Sequence, residues 1–336
     1  VTGKPLEQSL HRPTPPELTE PDLTGVVLDG RYRVLRLLGR GGSGRVYEAE
    51  NLLLRKLVAV KFVAGPGSNE SLTRLRREAQ IIASIQHPNI CDLYDIGTTS
   101  DVGRPYLVLE RLFGDTLASH LKRAPRLAPE RALDLFAQIL SGLNAAHASQ
   151  ILHRDLKPQN VFIVHRLGCA PIAKLVDFGL AKDLTGVHGT TLTQPGKVCG
   201  TLQYMSPEQL CGAKLDVRSD LFAVGVMLYE ALSGVHPFAA RTMPLVQESI
   251  LRATPDPLRG QVPGVSVALE RVVLCALAKA PRERFQSAVE MQRALVTALG
   301  PRPRASWSDR QSSDEEATTA ERNLSLVWAT YTPAPG

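Results

Sequence analysis

Cysteine is scarce in this 336-residue sequence: Cys91, Cys169, Cys199, Cys211 and Cys275 are odd in number, far apart and never spaced C-x-x-C. That excludes a disulfide framework and a zinc site, and it is the usage of a reducing compartment, so a cytoplasmic location is expected. No apolar run approaches the roughly 20 residues that a membrane helix needs. The opening VTGKPLEQSL lacks the apolar centre of a signal peptide, so no membrane contact is expected from this segment. Blocks of like charge are missing too. The formal charge of +6 is spread with bases among acids, which argues against a nucleic-acid partner. The eight histidines show no ligand spacing, and no internal repeat is visible.

What is present is core-forming material, with 43% of residues hydrophobic, enough for a large globular body. Residues 1–28 carry Pro5, Pro13, Pro15, Pro16 and Pro21 with no apolar period, and read as an extended, flexible lead-in. From residue 29 come short β-type runs, YRVLRLLG, GRVYEAEN and LVAVKFV, which predict an antiparallel meander. Residues 69–86 place Leu72, Leu75, Ala79, Ile82 and Ile85 at helical spacing, and apolar runs at 90–96 and 106–112 complete a small β-rich lobe. Residues 113–299 are mainly helical. Pro129 opens one helix, with Leu133, Phe136, Leu143 and Ala146 on one face. Residues 220–232 are apolar nearly all round, the mark of a buried helix, and Ser233 and Gly234 stop it. Two more helical stretches lie near 265–280 and 286–299, and the Ser-, Thr- and acid-rich residues 300–336 read as a flexible tail or linker. The expected fold class is α+β in two lobes, 29–112 and 113–299.

The chemistry concentrates in HRDLKPQN, residues 153–160. Asp155 is placed to accept a proton, Lys157 to meet developing phosphate charge and Asn160 to ligate a hard cation. A polar surface loop is the plain alternative. Gly39, Gly41 and Gly44 form G-x-G-x-x-G between two strands, so that backbone N–H groups can approach phosphates closely, although a glycine-rich hairpin has the same pattern. Lys61 ends VAVK, a charge at the end of a buried run. Asp177, Phe178 and Gly179 follow the strand AKLV, and the hairpin between Asn160 and Asp177 would bring those two oxygen ligands side by side.

In this order, these segments resemble the eukaryotic-like Ser/Thr protein kinases of bacterial type, over Gly39 to Arg284. The resemblance implies a two-lobed kinase fold, with ATP in the cleft and a γ-phosphoryl group passed to Ser/Thr hydroxyls of a protein substrate. Val46, Ala59, Lys61, Leu109 as gate, Glu110 and Leu112 in the hinge and Phe162 would contact the nucleotide. Glu78 would pair with Lys61, and Asn160 and Asp177 would hold Mg²⁺, with Mn²⁺ as an alternative. The activation segment would run from Asp177 to Glu208. Thr185, Thr190, Thr191 and Thr193 are its candidate phosphorylation sites, Arg154 is the partner of the added phosphate, and a second copy of the chain is a candidate partner in trans. Glu208 would pair with Arg284, and Asp220 would brace the catalytic loop. Lys157, Gly200 and Thr201 match the Ser/Thr-specific pattern. Two departures stand out: Ser206 replaces the commoner Ala before Pro207, and the hairpin before Asp177 is long, which should affect its tip only. A scaffold that binds ATP without efficient transfer is the main competing reading. It would call for a broken Lys61, Asp155 or Asp177, and all three are intact. An enzyme acting on small molecules is a further one, which the docking residues Thr201 and Arg284 oppose.

Overall fold

The computed structural model describes residues 22–41, 44–63, 69–99, 103–165, 168–179 and 202–298. Strands β1 (Val27–Leu28), β2 (Tyr32–Gly41), β3 (Gly44–Asn51) and β4 (Lys56–Val63) form the expected meander, and β5 (Leu93–Thr98) and β6 (Pro105–Glu110) complete an antiparallel sheet ordered β1-β2-β3-β4-β6-β5. Strand β1 lies inside the stretch expected to be a flexible lead-in. Leu28 is buried with Tyr32 and Val34, but two residues are too short a run to show a period in the sequence.

Alternation along the strands divides the sheet into two faces. Tyr47, Val60, Phe62, Tyr106 and Val108 pack together on one face. On the other, two cross-strand rows run Val46–Lys61–Leu107 and Glu48–Ala59–Leu109. Helix α1 (Asn69–Ser84) packs against β5 and buries Leu75, Ala79 and Ile82.

Beyond the sheet lie a short strand β7 (Gly114–Thr116), α2 (Leu117–Arg123) and α3 (Pro129–Ala148). Helix α3 begins at Pro129, whose missing N–H costs nothing in a first turn, and buries Leu133, Phe136, Ile139, Leu140, Leu143 and Ala146. Strands β8 (Val161–Val164) and β9 (Ile172–Leu175) pair as a hairpin with unbroken register from Val161↔Leu175 to Val164↔Ile172, so its extra length falls in the connecting loop. Helices α4 (Pro207–Leu210), α5 (Val217–Ser233), α6 (Met243–Arg252), α7 (Val267–Ala276) and α8 (Ala288–Ala298) complete the second lobe. As its all-round apolar sequence predicts, α5 is buried along nearly its whole length. Asp216 caps its start, and Gly234, at φ 78°, ends it. Helices α2, α4 and α6 are not among the elements read from the sequence: α2 and α4 are short, and α6 follows a turn-rich segment.

Candidate functional site

The site lies where the sheet meets the helical lobe. The segment after α1 is stitched to β9: Cys91 N–H donates to Leu175 O (2.9 Å), Leu175 N–H to Asn89 O (2.8 Å) and the Asn89 side chain to Ala173 O (2.8 Å). The hairpin β8–β9 then returns the chain to its start, and Val176 N–H donates to Asn160 O at 2.9 Å. This bond sets Asp177 beside Asn160, as the hairpin reading requires.

Within the loop, three side chains converge. Lys157 Nζ and Asn160 Nδ2 both reach Asp155 Oδ2, at 2.8 and 3.1 Å, and Asn160 Nδ2 also donates to Asp155 O at 2.8 Å. Spending its NH₂ on Asp155 leaves the amide of Asn160 to present its oxygen on the other side. Arg154 and Asp177 have left-handed backbones, φ 60° and 61°, a conformation that non-glycine residues hold only where surroundings enforce it. The enforcement is visible at Arg154. Buried Asp220 accepts from the N–H groups of His153 (2.9 Å) and Arg154 (3.0 Å) and from His147 Nε2 (2.8 Å), and Gly179 N–H donates to His153 O (3.0 Å). Burial pushes the Asp220 carboxyl up, but the bonds from His147 and the loop prevail and hold it below the usual carboxylate range. His153 is fully buried, packs its ring against Phe178 at a tilt of 35° with 4.7 Å between centroids, and donates to Val176 O (3.0 Å), and its pKa is driven down by burial, as suits a neutral packed residue.

The nucleotide residues named from the resemblance come together in part. Val46, Ala59, Lys61 and Leu109 lie on one face of the sheet, while Leu109, Leu112 and Phe162 pack around one small apolar cluster with Cys91 and Val164. Gly39 pairs with Val46, and Gly41 with Gly44, at the end of the β2–β3 hairpin. Gly44 has φ 135°, and a Cβ there would fall 1.9 Å from Phe62 O, so no other residue fits without moving β4.

One expected contact is absent. Lys61 Nζ meets Asp177 Oδ1 at 2.5 Å, and Glu78 lies instead 3.8 Å from an Arg154 Nη1. The Lys61–Glu78 pair is therefore corrected to two separate pairs. Helix α1, packed against β5, carries Glu78 to the side where Arg154 lies.

The far end of the site matches expectation. Arg284 donates to both carboxylate oxygens of Glu208, at 2.7 and 2.8 Å, and Ser219 adds a third bond at 2.7 Å. Ser206, the departure from the family pattern, caps α4 in a reciprocal capping box with Gln209, whose side chain also reaches Arg154 O at 3.0 Å. Thr185, Thr190, Thr191, Thr193 and Thr201 lie outside the described residues.

Sequence reasoning missed four groups here. Lys174, buried in β9, donates to Glu110 at 2.6 Å and fixes the hinge from below; a charge inside the apolar run IAKLV was the same signal that singled out Lys61. Glu48, Arg111 and His236 gave no comparable signal. His236 stands edge-on to Tyr204, 5.5 Å between centroids, donates from Nε2 to Gln203 O (3.1 Å) and accepts from Phe238 N–H at Nδ1 (3.2 Å). Only a neutral ring makes both bonds, and burial pushes its pKa from 6.5 down to about 4. Because the folded value is depressed, this histidine favours folding fully above pH 6.5, and that contribution is lost as the pH falls toward 4. The melting temperature should accordingly drop over this window more steeply in wild type than in His236→Gln; equal slopes would refute the assignment.

The family model for the protein kinase domain matches residues 32–295. The chain belongs to the protein kinase family. Among its relatives, the serine/threonine-protein kinase PrkC of Bacillus subtilis is 37% identical over 279 residues, covering 82% of this chain and 42% of the relative. The serine/threonine-protein kinase pkn3 of Myxococcus xanthus is 35% identical over 304 residues, 89% of this chain and 55% of the relative. The crystal structure of the PknI kinase domain of Mycobacterium tuberculosis superposes with a TM-score of 0.65 at 27% identity, covering 83% of this kinase chain and all of that domain. The chain thus spans about half the length of the curated relatives it matches. Membership implies use of ATP and a divalent metal. Among the described residues no helix is long and apolar enough to cross a membrane, and no three His, Cys, Asp or Glu side chains cluster as a metal site.

Proposed function

We propose that this chain is an ATP-dependent Ser/Thr protein kinase domain, comprising residues 29–299 as an N-lobe (29–112) and a C-lobe (113–299). The observation that carries the reading is the convergence of Lys157 and Asn160 on Asp155, with Asp177 set beside Asn160 by the Val176–Asn160 bond. One amide oxygen, from Asn160, and one carboxylate, from Asp177, would make a hard donor set suited to Mg²⁺ or Mn²⁺. The cation, when held by Asn160 and Asp177, would neutralise phosphate charge.

In transfer, Asp155 orients the hydroxyl of the protein substrate and accepts its proton, and Lys157 faces the charge that develops on the moving phosphoryl group. The apolar wall of Val46, Ala59, Leu109, Leu112 and Phe162 receives adenine, and the backbone at Gly39, Gly41 and Gly44 faces the phosphates. Lys61 then serves the phosphates instead of Asp177. This requires the two ion pairs to exchange partners, and a phosphate on the activation segment favours that exchange by drawing Arg154 away from Glu78. Autophosphorylation among Thr185, Thr190, Thr191 and Thr193, between two copies in the cytoplasm, supplies the phosphate.

The test is incubation of wild-type and Asp155→Asn protein with labelled Mg·ATP, then intact mass and peptide mapping. Phosphate on wild type alone, within residues 185–193, is the expected result. ATP binding without transfer to itself or to generic protein substrates would favour the scaffold reading.

A further inference from the structure

One buried carboxylate at the mouth of the cleft has no part in the transfer described above. Glu48 lies in the row Glu48–Ala59–Leu109, on the face that carries Val46 and Lys61, and is only 7% exposed. A carboxylate so placed needs cations. It has two: Arg36 of β2 donates from Nε to Oε1 (2.8 Å) and from Nη2 to Oε2 (3.1 Å), and Arg111 donates from Nε to Oε2 (2.7 Å).

Arg111 belongs to the hinge. Its Nη1 donates to the carbonyl of the next residue, Leu112, and its guanidinium lies 4.6 Å over the Phe113 ring. Strand β6 ends at Glu110, so residues 111–113 have no ladder partner, and among the described residues the Leu112 N–H has no hydrogen-bond partner. Lys174 anchors Glu110 at one end of this span. At the far end Phe113 O accepts from His165 N–H at 3.4 Å, and the buried Leu112 side chain packs with Cys91 and Val164. Between these, the side chain of Arg111, gripped by Glu48, adds a charged tie from the span to β3.

We propose that Glu48 and Arg111 form a positioning clasp that holds the Leu112 backbone where adenine is read, so that two side chains remote from the phosphates set nucleotide affinity. This rests on the nucleotide-binding reading of the cleft. The physical basis is preorganisation. A span held only by the Leu112 side chain and the long bond at Phe113 would lose more conformational entropy each time nucleotide bound, and a charge-assisted bond with both partners largely removed from water imposes part of that order beforehand. The arrangement acts on binding and leaves the geometry around Asp155 untouched, so its signature is a change in KM at constant kcat.

The experiment measures Mg·ATP affinity and steady-state kinetics for wild type, Arg111→Met, Glu48→Gln and the double variant, with thermal midpoints for each. Each single variant should raise Kd and KM about tenfold, as expected for loss of a charge-assisted bond. In each, kcat should stay within about twofold, and the double variant should bind no more weakly than the weaker single. Arg111→Lys, which keeps the charge without the forked donors, should recover part of the loss. Unaltered affinity in both single variants overturns the clasp, whatever their thermal midpoints, as do additive losses or a fall in kcat at constant KM. Wild type that fails to bind Mg·ATP overturns the nucleotide reading itself.

Discussion

Asp155→Asn should lower the rate of phosphoryl transfer about 10²- to 10⁴-fold, the range for loss of a positioned general base, while Mg·ATP affinity stays within a few-fold of wild type. The substitution is nearly isosteric, and the new amide oxygen can still accept from Lys157 and Asn160, which meet Asp155 at 2.8 and 3.1 Å. What disappears is the basicity and the negative charge. Asp177→Asn should differ in kind. It removes the single carboxylate of the proposed donor set and the partner of Lys61, so nucleotide binding in the presence of metal should weaken along with turnover. Single-turnover transfer to a protein substrate, set beside equilibrium nucleotide titration, separates the two. An Asp155→Asn protein that retains transfer within tenfold of wild type would remove Asp155 from the mechanism.

The second large effect is on stability. Arg284→Ala should destabilise the domain by about 3–5 kcal/mol, the cost of removing one partner from a buried ion pair. Its side chain is fully buried, and Glu208 is nearly so. Besides Glu208, the guanidinium serves the carbonyls of Ala278 (2.7 Å), Lys279 (2.9 Å) and Arg218 (3.1 Å) and lies 4.8 Å over the Phe222 ring. Truncation therefore leaves the Glu208 carboxylate without its cation and takes a donor from three carbonyl groups at once. Burial raises the Glu208 pKa, but the bonds from Arg284 and Ser219 outweigh it and hold the carboxyl below its ordinary range. With the folded value depressed, the stabilisation is complete above the ordinary carboxylate pKa and is lost as the pH falls through the folded one. Arg123→Ala is the comparison, because its pair with Asp115 is exposed and solvent screening should leave the variant close to wild type in stability. Denaturant midpoints for the two variants decide the point, and equal losses would show that burial does not govern the difference.

Much of the fold is local information. The strands of the meander were legible because alternation is a property of neighbouring residues, α3 because Pro129 and an apolar period mark it, and α5 because an all-round apolar run ends at Gly234. The candidate site was legible for a related reason. Asp155, Lys157 and Asn160 sit within one turn of chain, and the register of a single hairpin returns Asp177 to them. Ser206 was noticed as a departure, but its capping of α4 and the reach of Gln209 to Arg154 emerge only in three dimensions.

The sequence by itself determined which chemical groups this kinase chain carries, their order, and the strands and helices that bear them. Tertiary structure decided who meets whom across those elements. Lys61 met Asp177, and Glu78 met Arg154, because the way a whole helix seats against a sheet selects side-chain partners without leaving any mark on the helix's own amphipathic pattern. Glu48 and Arg111, separated by most of the first lobe, met because strand register and the path of the hinge brought them together. Such pairings depend on the packing of distant surfaces, and no local pattern in the chain encodes them.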